Sequence, residues 1–167
     1  MQKRGFTVVE LLIVIVVIAI LAAITIVAYN GIQARTRDSV RKQDLAQLAK
    51  ATKLYAVDNG DYAEAGCGSG GTGSGWLSVD YDTTGAWLSV NGCLMKDGYL
   101  SKELRDPSGL GSCTGLTCFA YMKCSGSAGT FYIAHLETLP QTSTDTDGTN
   151  CTVYDTSYGM NYVVKVN

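Results

Sequence analysis

Glu10 is the residue in this chain whose setting most invites chemistry. From Leu11 to Ala28 there are eighteen residues without a charge, and Thr25 alone among them is polar. An ionisable group inside a lipid-spanning segment is costly and rare, so it reads as functional by default. A partner for it is at hand. Cutting the chain after Gly5 would create a positive amine on Phe6 beside the acid, and Lys3 and Arg4 form a short basic leader ahead of that cut.

Cys67, Cys93, Cys113, Cys118, Cys124 and Cys151 make an even set, which in an exported domain predicts disulfides. The sequence does not choose among the pairings. Cys124–Cys151, closing a C-terminal loop, and Cys67–Cys93, closing a glycine-rich one, are the pairs we favour. Zinc is a poor reading, because the spacing Cys113-x4-Cys118-x5-Cys124 lacks a tight pair and His135 stands alone. Asp145-Thr146-Asp147-Gly148-Thr149-Asn150 offers closely spaced oxygen ligands for calcium at Asp145 and Asp147. It lacks the closing acid of a helix-loop-helix calcium site, so a solvated turn is expected and no cofactor is assigned. Leu139-Pro140-Gln141-Thr142-Ser143 resembles a sortase signal only superficially, lacking the apolar tail and basic end. With one histidine, no paired histidine-carboxylate motif and no phosphate-cradling glycine motif after a strand, an enzyme is not expected.

These residues need elements to hold them. Val8 to Ala28, as a helix, spans roughly 31 Å, close to the hydrocarbon thickness of a bilayer. The run is rich in Val and Ile, but in lipid every backbone group must be satisfied within the segment, so helix wins. An ordinary signal peptide is the alternative, with Leu21-Ala22-Ala23 as its cut site; Glu10 then sits where the apolar core should be. Orientation is contested, since Lys3 and Arg4 precede the span while Arg35, Arg37, Arg41 and Lys42 follow it. The cysteines decide for an external C-terminal domain.

Beyond the span, Leu45, Leu48, Ala49, Thr52, Tyr55 and Ala56 keep helical spacing, with Asp44, Lys50 and Lys53 off that stripe. Asn59-Gly60 supplies a stop. A helix from Phe6 to Asp58 would be roughly 80 Å long, a stick carrying a head on its outer half. Residues 66–75 read as a flexible glycine-rich loop. Trp76-Leu77-Ser78-Val79 and Trp87-Leu88-Ser89-Val90 echo each other as a hairpin or as a strand followed by a helix. Cys118–Cys124 and Thr130–Glu137 read as strands around the turn 125–129, with Met160–Val166 as a last strand and His135 structural. The predicted fold class is α+β: a long N-terminal helix with a small antiparallel sheet on its second half. The expected divisions are a leader (1–5), a membrane or filament-core helix (6–28), its amphipathic continuation (29–58) and an exported head (59–167).

Lys3-Arg4-Gly5-Phe6-Thr7-Val8-Val9-Glu10-Leu11-Leu12-Ile13-Val14-Ile15 resembles the start of the type IV pilin-like family, which comprises pilins of type IV pili and pseudopilins of type II secretion. Leu54-Tyr55-Ala56-Val57-Asp58-Asn59-Gly60-Asp61-Tyr62 looks like the end of the long pilin helix. Gly98-Tyr99-Leu100 followed by Asp106-Pro107 is similar to many pseudopilins and to pilins of Gram-positive type. The resemblance implies cleavage between Gly5 and Phe6 by a prepilin peptidase, N-methylation of Phe6, and pairing of Glu10 with the Phe6 amine of a neighbouring subunit. Many relatives carry a proline in the membrane helix, and none occurs here before Pro107, so Asn30-Gly31 is where a kink or local melting is expected.

The implied function is a structural subunit that polymerises through its helix into a surface filament for adhesion, twitching or DNA uptake. The alternatives are a type II secretion pseudopilin, or a minor tip pilin acting as a ligand-binding adhesin. The implied partners are other subunits, the prepilin peptidase and the pilus assembly platform. The chain would be a single-pass protein of the bacterial cytoplasmic membrane, N-terminus inside, before joining an extracellular pilus. Residues 29–56 carry six Lys/Arg against two Asp, a net of +4, and residues 57–167 five against twelve Asp/Glu, a net of −7. A basic stem and an acidic head would attract each other between subunits, unless the stem is simply a solvated face. The acidic head argues against specific nucleic-acid binding, which needs a basic face.

Overall fold

In the computed structural model, residues 5–62, 66–77, 87–109, 120–126, 129–140 and 158–167 are described. The expectations for Lys3, Arg4, Cys113, Cys118, Cys151, Asp145, Asp147 and residues 141–143 lie outside these segments.

Helix α1 runs Val8–Asn59 without interruption. Its helical hydrogen bonding continues through Asn30-Gly31, so the local melting expected there as one alternative is not seen. A helical glycine costs only about 1 kcal/mol relative to alanine, and no proline is present to remove a backbone bond. The chain divides into two compact units, Met1–Thr36 and Arg37–Asn167, and α1 contributes to both. In the first unit its apolar side chains are exposed, Leu11, Ile15, Leu21 and Ile26 each by more than half. This is the one described helix long and apolar enough to cross a membrane.

In the second unit α1 buries Asp38, Arg41, Leu45, Leu48, Ala49, Ala51 and Thr52. The spacing of three and four places them on one face. The helix stops where the sequence puts it. Gly60 has φ +78°, a conformation that disfavours side chains, and its N–H donates to the Ala56 carbonyl at 2.8 Å.

A four-stranded antiparallel sheet, β1 (Gly75–Trp76), β2 (Met122–Gly126), β3 (Gly129–Ala134) and β4 (Tyr162–Lys165), runs in sequence order. Strand alternation separates two apolar clusters. Tyr132 and Ala134 of β3 join Leu77, Tyr121 and Val166 against Leu45, Leu48 and Ala51 of α1 and Val90, Leu94, Leu100 and Leu104. On the opposite face Phe131 and Ile133 join Trp76, Met122, Cys124 and Met160. Burial of both faces explains why β3 reads as an almost continuous apolar run.

The details refine the sequence reading. Ser125 pairs with Thr130 and Gly126 with Gly129, so strand pairing runs on into the segment 125–129 that was expected to be turn. Strand β3 ends at Ala134, short of Glu137, because the Asn161 side chain replaces the ladder: it accepts from Leu136 N–H at 2.7 Å and donates to Leu136 C=O at 2.9 Å. Of the two Trp-Leu-Ser-Val segments, the first begins in β1 at Trp76. In the second, Ser89 caps helix α2 (Val90–Lys96), accepting from Gly92 N–H at 3.0 Å. Strand followed by helix is therefore the correct alternative. The glycine-rich loop is tightly bonded: Gly68 N–H reaches Leu88 C=O, Ser69 N–H reaches Ser74 C=O and Gly73 N–H reaches Cys67 C=O, each at 2.7 Å. Its glycines serve close packing, since a Cβ on Gly68 would meet the Ser74 carbonyl oxygen at 2.2 Å.

Candidate functional site

The N-terminal site is built around the first turn of α1. Thr7 precedes the helix and Glu10 is its third residue, the Thr-x-x-Glu spacing of a reciprocal cap. The Glu10 N–H donates to Thr7 Oγ1 at 3.3 Å, while the Thr7 N–H and hydroxyl both donate to Glu10 Oε2 at 2.8 Å. Two backbone donors that would otherwise lack partners at the helix start are thereby satisfied. The other carboxylate oxygen, Oε1, makes no hydrogen bond among the described residues. Phe6, at 83% exposure, extends from the helix start beside Gly5. Sequence reasoning placed Glu10 and Phe6 here but passed over Thr7, although its spacing to Glu10 before an apolar run is itself a start signal.

A second constellation escaped sequence reasoning altogether. Arg41, fully buried, donates to Asp106 from Nε at 2.7 Å and from Nη2 at 3.1 Å, and from Nη1 to Asp38 at 2.8 Å and Glu137 at 2.7 Å. Arg37 adds a paired contact to both Glu137 oxygens at 2.6 Å. Asp38 in turn accepts from the Glu137 and Thr138 N–H groups and the Thr138 hydroxyl, at 2.7 to 2.9 Å. One guanidinium thus ties α1 to two loops far away in sequence. The local signal was available: the stripe of Leu45, Leu48 and Thr52, continued backwards at helical spacing, falls on Arg41 and Asp38.

The electrostatics follow from these contacts. Glu137 is held below the usual carboxylate range, chiefly by its bonds from Arg37 and then by Arg41. Burial pushes Asp38 upward, but the bonds from Thr138, Glu137 and Arg41 outweigh it and leave the carboxyl lowered. Burial lowers the Arg41 pKa, and its carboxylates more than reverse that, so the guanidinium stays charged. Asp44 is raised by burial even though it accepts from the Tyr121 hydroxyl at 2.8 Å, and burial likewise raises Tyr121.

This cluster takes two of the six stem cations out of any contact with other subunits. Arg37 and Arg41 are paired within their own head, which leaves Arg35, Lys42, Lys50 and Lys53 as the exposed cations of the stem. Among the described residues, no group of three His, Cys, Asp or Glu could hold a metal ion. Cys67 and Cys93 are disulfide-bonded, with Cα atoms 6.2 Å apart, joining the glycine-rich loop to α2. Cys124 is also disulfide-bonded, to a cysteine outside the described residues. His135 is buried, with Nδ1 2.7 Å from the Gly159 carbonyl oxygen.

Comparison with known proteins agrees at the N-terminus and extends beyond it. The family model of the prokaryotic N-terminal methylation motif matches residues 1–26. Type II secretion system core protein G of Pseudomonas aeruginosa is 32% identical over 108 residues, covering 65% of this chain and 70% of that protein. Type IV major fimbrial protein FimA of Dichelobacter nodosus is 36% identical over 112 residues, covering 58% of this chain and 68% of the relative. Type IV wide pilus major component PilA4 of Thermus thermophilus is 42% identical over 61 residues, covering 36% of this chain and 47% of its own length. No solved structure matches.

Proposed function

The chain belongs to the type IV pilin and type II secretion pseudopilin family, and we propose from that membership how its two units divide the work. The protein is a structural subunit of a type IV pilus, a role its fimbrial and pilus relatives carry in their names. The subunit starts as a membrane-anchored precursor. A prepilin peptidase cuts between Gly5 and Phe6 and methylates the new terminus. An assembly platform then extracts subunits into a filament whose exposed heads lie outside the cell. No catalytic role is assigned to the chain itself.

The observation that carries this reading is the apolar surface of α1 up to Ile32. A soluble monomer rarely leaves so large a continuous apolar surface uncovered. Lipid covers such a surface before assembly, and neighbouring copies cover it afterwards. Within that surface Glu10 keeps one carboxylate oxygen without a hydrogen-bond partner among the described residues, and the Phe6 amine of a neighbour would complete it. Buried ion pairs add little net stability, yet losing one partner leaves an uncompensated charge and costs several kcal/mol, which makes the pair a register device.

The test is mass spectrometry of the N-terminal peptide in filaments sheared from cells, with Glu10→Ala alongside. A peptide starting at N-methylated Phe6 in wild-type filaments, with a processed but poorly assembling Glu10→Ala subunit, is the expected result. Normal filament yield from Glu10→Ala would remove the acid from the mechanism. The pseudopilin reading is supported by one observation: the match to the secretion core protein covers 65% of this chain, against 58% for the Dichelobacter fimbrial protein. Recovery of processed protein only from the membrane fraction would select it.

A further inference from the structure

Past Thr36, the exposed side of α1 carries a row of positive charge. Lys42, Ala46, Lys50 and Lys53 are all exposed, and their spacing of four, four and three places them in one row about 17 Å long. No acid of this stretch shares the row. Asp38 is buried in the Arg41 cluster, and Asp44 accepts from the Tyr121 hydroxyl at 2.8 Å. None of the three lysines forms an ion pair among the described residues, and Lys42 lies over the Tyr162 ring at 5.6 Å from its centroid.

Apolar side chains accompany the row. Leu54 is 49% and Val57 81% exposed. An open groove of about 360 Å³ lies beside Lys50, lined also by Gln47, Ala51, Leu54 and Tyr99. A partner seated on this face would cover apolar surface as well as meet charge.

The matching charge lies on the same chain. Where α1 and α2 end, Asp58, Asp61 and Asp97 are exposed. The Tyr99 hydroxyl donates to Asp58 Oδ2 at 2.7 Å, and the phenol pKa is raised first by that bond, with the Asp97 charge adding to it. Lys96, next to Asp97 in sequence, sets one cation against these three carboxylates, so the edge stays negative. We infer that the lysine row docks the Asp58–Asp97 edge of a second copy of this chain. The two surfaces are different patches of one molecule, so the contact is heterologous, and repeated contacts of that kind build open filaments rather than closed dimers. Opposite charges fix register and reject wrong partners more than they add affinity. The inference deepens the filament reading by naming a contact between heads, and it rests on that reading for the close packing of copies.

The experiment treats sheared wild-type filaments with a water-soluble carbodiimide, which joins a lysine to a carboxylate only where the two touch. Dimers on a denaturing gel are expected, with Lys42, Lys50 or Lys53 linked to Asp58 or Asp97 in their peptides. Lys50→Glu/Lys53→Glu should lower dimer and filament yield about tenfold, the scale of two exposed pairs turned repulsive. Adding Asp58→Lys/Asp97→Lys to the same chain should restore both. The denaturation midpoint of each variant in detergent checks that its head is folded. Dimers linked only elsewhere, unchanged filament yield in Lys50→Glu/Lys53→Glu, or no restoration in a folded charge-swapped chain would each overturn the inference. So would filaments that bind duplex DNA through Lys50 and Lys53 while giving no such link, which would assign the face to a polyanion. Linked dimers recovered from membranes of cells that bear no surface filaments would count against the pilus reading and uphold the pairing.

Discussion

The two parts of helix α1 reverse the usual placement of side chains. Before Thr36, leucines and isoleucines such as Leu11, Ile15 and Leu21 are exposed. After it, Arg41 and Asp38 are buried beside Leu45 and Leu48. The head half satisfies itself, because every ion it buries is matched from its own chain. The stem half does not, and its surface requires lipid or other subunits. One continuous helix therefore serves two solvents, and the transition is made by what the sequence offers on each side of Arg37.

Substitutions that act on only one half sharpen this contrast. The largest effect is expected from Arg41→Ala, which leaves Asp38, Asp106 and Glu137 without their shared cation. Removing one partner of a buried ion cluster costs about 3–5 kcal/mol, read as a lower denaturation midpoint of the full-length protein in detergent. Leu12→Ala in the stem should leave that midpoint in place. A loss below about 0.5 kcal/mol for Arg41→Ala would mean that the guanidinium is not the hub, since ordinary surface changes fall within that size.

Replacing both Cys67 and Cys93 with serine comes next. Opening a loop of this length is expected to cost about 3 kcal/mol, again with membrane insertion unchanged. Should insertion fail together with head stability, the two halves would not be independent.

The smallest effect is expected from acid. Glu137, lowered first by Arg37, and Asp38, lowered by its hydrogen bonds against burial, both hold fewer protons when folded than when unfolded. Their stabilisation is present above the unfolded carboxylate values, near about 4, and is lost as pH falls through the folded ones. Asp44, raised by burial, acts with the opposite sign. Head stability should therefore fall on acidification below about pH 4, and Glu137→Gln should flatten that fall. A midpoint that rose in acid would show Asp44 to dominate.

Much of the fold was legible in the residues. The apolar run, the stripe through Thr52 and the stop at Asn59-Gly60 are local patterns, and helix geometry is local. The long helix with a small antiparallel sheet followed from them. The bonding of the glycine-rich loop was not legible, because composition alone does not show which glycines are packed too closely for a Cβ. Arg41 misled. A cation near a membrane span looks like a topology signal until its partners are known, and those lie 65 and 96 residues further along the chain.

The sequence by itself determined where the membrane-length segment lies, where the helix ends and where an acid stands inside an apolar run. Each depends on neighbours within a few turns. Only the tertiary structure decided that Arg41 is a buried hub, that Asp106 of an Asp-Pro turn is its main acceptor, and that the glycine loop closes on itself through backbone hydrogen bonds. Those outcomes depend on which distant loops meet a given helix face, and long-range packing fixes that where no local spacing can.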